Sequence, residues 1–182
     1  QSSFAELGKK YIDETKWARS SKPFFIDKMP NNFVHIGLIK LILPKAKIID
    51  ARRNPMDASF SCYKQYFAKG QHFTYDLDDI ARYYKDYIRL MNYWNKLFPG
   101  EILTMHYEQI IENPNEKISD LLKFCNVGFE ESCLNFHTSK RPVKTASSEQ
   151  VRQPMYKSGL DYWKNYSKNL DTLKKHFPDY GK

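Results

Sequence analysis

The stretch that decides the fold is "AKIIDARRNPMDASFSCY", residues 46–63, in which a short apolar run leads directly into a helix start. The run at 46–51 has strand composition, and its continuous apolarity suits a parallel strand that is covered on both faces. Asn54 can cap a helix, Pro55 suits the first helical position, and Asp57 lies three residues after the cap. The stretch therefore predicts a buried strand followed at once by a helix.

Two other apolar runs repeat this arrangement of a strand followed by a helix signal. They are "PFFID" at 23–27 and "EILTMH" at 101–106. Strands that alternate with helices predict an α/β fold with three layers, in which helices flank a parallel sheet. A chain of 182 residues is long enough for one well-buried domain, so we expect residues 1–182 to form a single domain.

Two further helices are predicted by their end signals and their spacing. Asn113 is expected to cap a helix in which Glu116 completes a capping box, and Gly128 follows its end. Apolar residues three and four positions apart predict a long amphipathic helix between Asp76 and the Pro-Gly pair at 99–100. The aromatic side chains of that stripe are expected to belong to the core.

Polar side chains follow each of the three predicted strands. Lys28, Arg53 and Tyr107 should meet at the carboxyl edge of one sheet, where ligands of such folds bind. Arg53 also precedes a helix N-terminus, which favours an anion such as phosphate or sulfate, although a salt bridge to an acidic neighbour is an equal alternative. Arg52 should face the other way and have a structural role.

Composition narrows the classes of partner and the compartment. The net charge of +8 favours an anionic partner, and the interleaving of 29 basic with 21 acidic residues favours a phosphate-bearing small molecule over nucleic acid. The three cysteines lack the spacing of a zinc site or a disulfide framework, which indicates free thiols in a reducing, cytoplasmic compartment. No apolar run is long enough to span a bilayer, so we expect a soluble protein.

Four motifs in order resemble one known family. They are "DKMPNNF" at 27–33, "KIIDARRNPMDASFSCY" at 47–63, "HYEQIIENP" at 106–114 and "TASSEQVRQPMY" at 145–156. On these motifs the chain resembles the C-terminal two thirds or so of a sulfotransferase domain. It is similar above all to bacterial tetratricopeptide-linked sulfotransferases and to tyrosylprotein sulfotransferases.

The resemblance implies a fold, a donor and a reaction. The fold is a P-loop NTPase-like parallel sheet flanked by helices, here without the N-terminal P-loop strand. The donor is 3'-phosphoadenosine 5'-phosphosulfate, and the product is adenosine 3',5'-bisphosphate. A sulfuryl group passes in line to the hydroxyl of a protein tyrosine, a carbohydrate or a small molecule, and no metal is needed. An N-terminal tetratricopeptide region is a further expectation for the full-length protein.

The resemblance also implies roles for individual residues. Arg53 and Ser61 would hold the 3'-phosphate, Tyr107 would line the nucleotide site, and Lys28 and Ser147 would stabilise charge on the transferring group. The loop at 147–156 would fold over the nucleotide. The other residues expected at the nucleotide are Ser148, Gln150, Val151, Arg152, Pro154 and Lys164.

Three departures from the family pattern weaken these expectations. Tyr162 stands where relatives have a basic residue, so Lys164 substitutes or that phosphate contact is lost. Gln65, with Lys64 beside it, stands where some relatives have arginine. The 27 residues before Lys28 hold no Gly-rich phosphate loop, so we expect this chain to be a fragment that transfers sulfate poorly or not at all by itself.

Two other functions remain open from the sequence. One is a catalytically inactive nucleotide-binding or interaction module of the same fold. The other is a basic helical domain that binds nucleic acid, against which the scattered charge weighs.

Overall fold

A computed structural model describes residues 2–20, 22–67, 70–139, 148–155 and 157–181. It divides into two compact units, one of Gln1–Ile48 with Tyr87–Ile102 and one of Ile49–Asp86 with Leu103–Lys182. Each unit has a hydrophobic cluster of its own, and the single domain stays a prediction. None of the described helices is both long and apolar enough to cross a membrane.

The sheet has two strands among the described residues, β1 (Ile48–Arg52) and β2 (Ile102–His106), which lie side by side and run parallel. They confirm that strands form at the stretches predicted, 46–51 and 101–106. The predicted cover on both faces of the first strand is wrong, because only Asp50 of β1 is buried and Ile49 is 43% exposed. The α-helices are α1 (Ser2–Glu14), α2 (Ile36–Ile42), α3 (Pro55–Lys64), α4 (Leu77–Leu97), α5 (Tyr107–Glu112), α6 (Pro114–Phe124) and α7 (Asp171–His176). The longest of the 3₁₀ helices spans Tyr162–Asn169. The described chain is therefore α/β, with far more helix than strand.

The strand predicted at 23–27 is wrong. These residues have no strand structure, and Phe24 and Ile26 are 64% and 89% exposed. A β-strand exists only where a neighbouring strand accepts and donates its backbone hydrogen bonds, and strand composition cannot supply that neighbour. Within the described sheet, β1 and β2 pair with each other alone.

The junction between β1 and α3 forms as predicted. α3 begins at Pro55, and the Met56 N–H donates to Asn54 Oδ1 at 2.9 Å. Proline suits this first position because its missing N–H would have had no helical partner there. The chain thus leaves the strand and enters the helix within two residues, with Arg53 between them.

The long amphipathic helix is also confirmed as α4. The Asp76 carboxylate accepts from the N–H groups of Asp78 and Asp79 at 2.8 and 3.0 Å, which caps its first turn. The helix ends at Leu97, before Gly100 takes a positive φ of 76°. Its aromatic stripe packs into the core as expected, because Tyr84 and Trp94 contact the two hydrophobic clusters.

The capping box predicted at Asn113 is wrong, although α6 does begin at Pro114. No hydrogen bond from the Asn113 side chain caps the helix, and Glu116 pairs with Lys117 at 2.7 Å. Asn113 also ends α5, because its N–H donates to the Gln109 carbonyl oxygen at 2.9 Å. Because Asn113 ends α5 and also precedes α6, its backbone conformation does not suit a capping box.

Gly128 lies beyond the end of α6, as expected, but Asn126 is the residue that ends the helix. Asn126 takes the left-handed conformation with φ 56°, and the Val127 N–H donates to the Leu122 carbonyl oxygen at 2.9 Å. Asparagine is the residue after glycine that most readily adopts this conformation. Gly128 therefore lies beyond a helix end that Asn126 has already made.

Packing in the first unit depends on Gly8, where α1 and α2 approach closely. A β-carbon at Gly8 would lie 2.0 Å from the Ile42 carbonyl oxygen, a backbone atom that cannot move without the helix. We expect Gly8→Ala to lower the free energy of unfolding by about 2 kcal/mol, measured by urea titration. Gly128→Ala is the matched control, because no atom lies within 4 Å of its added carbon. Alanine favours an isolated helix, so equal stability of Gly8→Ala and the wild type would contradict the close approach.

The core of the second unit joins α3, α4 and the C-terminal helices. Met56 and Phe60 from α3 pack with Ala81 and with Trp163, and Met56 and Ala81 are fully buried. The remaining members of this cluster are Leu170, Leu173 and Phe177. This packing fixes the first turn of α3 against the segment that precedes Trp163.

Candidate functional site

Arg53 and Tyr107 meet at the carboxyl edge of the sheet, as the order of strands predicts. Arg53 follows β1 directly, and Tyr107 follows β2 as the first residue of α5. The guanidinium carbon of Arg53 lies 5.4 Å from the centre of the Tyr107 ring, within the range of a cation–π contact. Its Nη2 group donates to the Gly159 carbonyl oxygen, and 28% of the side chain is exposed.

The acidic neighbour that the sequence left open for Arg53 is Asp57. Asp57 Oδ1 lies 3.9 Å from Arg53 Nη2, a distance that allows charge attraction but no hydrogen bond. The carboxylate is 2% exposed and accepts from the backbone N–H groups of Asp161 at 2.9 Å and Trp163 at 3.4 Å. Asp57 therefore satisfies backbone donors first and acts on Arg53 through its charge.

Arg53 keeps one hydrogen-bond donor that nothing described satisfies. Its Nε–H is buried and has no partner among the described residues. A buried guanidinium donor is costly to leave unpaired, and an anion is its strongest acceptor. The positive charge also reaches Cys62, where it opposes the rise in thiol pKa that burial causes. These features fit an anionic ligand such as a nucleotide phosphate.

The backbone around Arg53 is held by side chains from two helices. The Tyr84 hydroxyl donates to the Arg53 carbonyl oxygen at 2.7 Å, and burial raises the pKa of Tyr84 to about 12. The Asn54 N–H donates to Glu108 Oε1 at 2.7 Å. One amide that precedes α3 is thus already bound by a carboxylate, so an anion here would depend chiefly on Arg53.

Arg52 has the structural role expected of it. Its Nε donates to Asp50 Oδ2 at 2.6 Å, and both side chains are largely buried. Thr104 on β2 donates to the same carboxylate oxygen at 3.3 Å. The two neighbouring arginines therefore have different roles, and Arg52 stabilises the sheet.

Ser61 and Lys64 lie further along α3. Ser61 is exposed, two helical turns beyond Arg53, and its predicted phosphate contact stays a prediction. The Lys64 ammonium lies 4.0 Å from the centre of the Tyr162 ring and 5.3 Å from that of Phe60. Lys64 is thus engaged with aromatic faces.

The predicted nucleotide loop is described only in part, because Ser147 and Tyr156 lie outside the described residues. Ser148 and Val151 are half-buried, Pro154 is exposed, and Gln150 begins the short 3₁₀ helix Gln150–Arg152. Arg152 Nη1 donates to the Ser139 carbonyl oxygen. The part played by each of these residues at a nucleotide stays a prediction.

Lys164 lies in the 3₁₀ helix that follows this loop. Its ammonium donates to Asp161 Oδ2 at 2.9 Å, and about half of each side chain is exposed. Ion pairs of this exposure contribute little and exchange readily. That Lys164 replaces the basic residue of relatives stays a prediction.

Lys28 belongs to the first unit and is exposed in a segment without regular structure. The preceding residue, Asp27, accepts a 2.5 Å hydrogen bond from the Tyr11 hydroxyl. Burial, with this hydrogen bond as the second cause, raises the pKa of Tyr11 to about 12. Because no strand forms at 23–27, the strand-end rule no longer supports a position for Lys28 at the sheet edge. Its role stays a prediction from resemblance.

Sequence reasoning missed two features of the second unit. One is the binding of residues 159–163 by Arg53 and Asp57, for which the local sequence gave no signal, because the contacts join residues 104 to 106 positions apart. The other is a half-open groove of about 370 Å³ beside Phe60, Tyr63 and Lys64. Their spacing of three and four residues was a signal that one face of α3 carries aromatic groups.

Comparison with known proteins identifies the family of this chain. The model described as "Sulfotransferase family" matches residues 1–131. An uncharacterized protein of Aquifex aeolicus (strain VF5) is 41% identical over 167 residues, which cover 90% of this chain and 22% of that protein. The chain thus spans well under two thirds of the relative's length. With the family match extending over more than half of its residues, the chain belongs to the sulfotransferase family.

Proposed function

We propose that this chain holds the nucleotide of a sulfotransferase that uses 3'-phosphoadenosine 5'-phosphosulfate. The donor, when bound, supplies a sulfuryl group to an acceptor hydroxyl on a protein tyrosine, a carbohydrate or a small molecule. Family membership supports sulfuryl transfer. The observation that carries the proposal is the Arg53 guanidinium at the end of β1, beside the Tyr107 ring and with an unpaired Nε–H.

In this proposal Arg53 binds the 3'-phosphate and the Tyr107 ring lies against the nucleotide. The guanidinium offers planar, charged donors, which match phosphate oxygens better than neutral groups do. Ser61 adds a hydroxyl, and Lys28 and Ser147 stabilise the charge that develops on the transferring group. Sulfuryl transfer, like phosphoryl transfer, depends mainly on positioning and electrostatic stabilisation, so these residues need no covalent role.

The finer features of the family are part of the same proposal. β1 and β2 would belong to the larger three-layer, P-loop-like parallel sheet. The free thiols Cys62, Cys125 and Cys133 favour a reducing compartment such as the cytoplasm. Because the matched region is 22% of the Aquifex relative, the acceptor, an N-terminal tetratricopeptide region and the activity of a whole protein are proposals too.

Calorimetry with two nucleotides tests the proposal without requiring turnover. We expect adenosine 3',5'-bisphosphate to bind at least about tenfold more tightly than adenosine 5'-phosphate, since a charge-assisted contact adds about 1.5–3 kcal/mol. Equal affinities, or no binding at millimolar concentration, would contradict it. Binding of the bisphosphate without turnover of labelled donor by a protein that includes the complete domain would favour the inactive nucleotide-binding module.

A further inference from the structure

Arg53, which lies just before α3, and Asp57, in its first turn, bind the backbone of residues 159–163. Arg53 donates a hydrogen bond to this segment, and Asp57 accepts hydrogen bonds from it. Arg53 Nη2 donates to the Gly159 carbonyl oxygen, while Asp57 accepts from the Asp161 and Trp163 N–H groups at 2.9 and 3.4 Å. We call Arg53 and Asp57 together the clamp. These contacts join parts of the chain that are 104 to 106 residues apart, so they position the segment in the tertiary structure.

The two ends of this segment differ in what else holds them. Trp163 is 2% exposed and packs against Met56 and Phe60, so the core fixes it independently of the clamp. Asp161 has a left-handed backbone with φ 56°, a conformation that is unfavourable for a residue with a β-carbon. It is exposed, and its carboxylate pairs with the exposed Lys164. The clamp therefore supplies long-range hydrogen bonds to residues 159–161, beside two local ones at 2.9 Å: the Leu160 N–H donates to the Lys157 carbonyl oxygen, and the Lys164 N–H donates to that of Asp161.

The Arg53 donor that binds Gly159 is one that an anion would also need. A carbonyl oxygen is a neutral acceptor, whereas a phosphate oxygen is negatively charged, and a phosphate can bind the guanidinium through two parallel hydrogen bonds. Asp57, 3.9 Å from the guanidinium, favours the present position of Arg53 and opposes an incoming anion. Two features of the free chain thus compete with a nucleotide for Arg53.

We propose that residues 159–161 are an internal competitor for Arg53, which a nucleotide phosphate displaces, and that Asp57 positions Arg53 and sets the strength of this competition. The inference rests on the proposed function, because it takes the displacing anion to be the 3'-phosphate. After displacement, Asp57 still accepts from the Asp161 and Trp163 N–H groups, and the core still holds Trp163. Occupation of the site then loosens Asp161 and frees its partner Lys164 to turn towards the ligand.

Amide exchange measured by nuclear magnetic resonance tests the clamp in the free chain. Arg53→Ala is expected to accelerate exchange of the Asp161 amide about tenfold, the factor that corresponds to about 1.4 kcal/mol. The amides of Asp78 and Asp79, bound to Asp76 in the same unit, are the internal reference and should not change. Arg53→Lys serves as a second variant if the alanine variant does not fold. Unchanged Asp161 exchange in the folded variant would overturn the clamp.

The same measurement with adenosine 3',5'-bisphosphate tests the displacement. Saturating nucleotide should accelerate Asp161 exchange in the wild type by a similar factor and leave Arg53→Ala unaffected. Calorimetric binding with unchanged or slower exchange would overturn the competition while leaving the proposed function intact. Absence of calorimetric binding would overturn the proposed function and the displacement with it, and the ligand-free comparison would still report on the clamp.

Discussion

Arg53→Ala is expected to weaken binding of adenosine 3',5'-bisphosphate about 30-fold, which corresponds to about 2 kcal/mol. Affinity for adenosine 5'-phosphate should change by no more than about twofold, because Arg53 is proposed to contact the 3'-phosphate alone. The preference for the bisphosphate should therefore disappear in the variant. Calorimetry with both nucleotides on both proteins measures this difference directly.

Arg82→Ala is the matched control for that loss. Arg82 carries the same charge in the same unit, but its side chain is 70% exposed and pairs with Asp78 at 2.6 Å on α4. An exposed charge that is screened by salt and already paired contributes little to ligand binding, so removal of Arg82 should leave both affinities within about twofold. Equal weakening by the two alanine variants would show that net charge, and no specific contact of Arg53, attracts the nucleotide.

Asp57→Ala is expected to lower the free energy of unfolding by about 3 kcal/mol, because it leaves the N–H groups of Asp161 and Trp163 without their acceptor. The Asp57 side chain is 2% exposed and binds the N–H groups of Asp161 and Trp163. Its loss also leaves Arg53 without the nearby carboxylate. Urea unfolding followed by circular dichroism measures the change.

Asp171→Ala separates this effect from the mere loss of an acidic residue. Asp171 is 73% exposed and pairs with Lys174 at 3.1 Å in the same unit. Exposed pairs of this kind contribute about 0–1 kcal/mol, so the control should lose less than about 0.5 kcal/mol. A loss below about 1 kcal/mol in Asp57→Ala would mean that its hydrogen bonds are not a main support of the segment.

The junction at residues 46–63 could be predicted because its signals act locally. Asn54 and Pro55 supply the cap and the first residue of a helix, and the apolar run before them has the composition of a strand. The parallel order of β1 and β2 then brings Arg53 and Tyr107 to one edge. Each of these steps needs no knowledge of distant partners.

The incorrect predictions involve information that the local sequence lacks. Residues 23–27 have strand composition, but a strand needs a neighbour, and the described sheet holds β1 and β2 alone. The sequence predicts that Asn113 caps α6, yet α5 ends at Glu112, and the Asn113 N–H donates to the Gln109 carbonyl oxygen of α5. In both cases the deciding contact comes from outside the motif itself.

The candidate site was predictable only in part for a similar reason. Spacing places Arg53 at a helix start and leaves its acidic neighbour open, and the structure gives Asp57 at 3.9 Å. Spacing does not indicate that residues 159–163 return to this helix, since the Arg53–Gly159 contact joins residues 106 positions apart. Only tertiary packing, led by Trp163, brings that segment to Arg53.

A crystal structure of this chain with adenosine 3',5'-bisphosphate tests the role of Arg53 most directly. The predicted result is a guanidinium nitrogen of Arg53 within about 3 Å of a 3'-phosphate oxygen, the distance of a charge-assisted hydrogen bond, with the Gly159 carbonyl released. A bound nucleotide whose 3'-phosphate lies elsewhere, while Arg53 still donates to Gly159, would contradict the account.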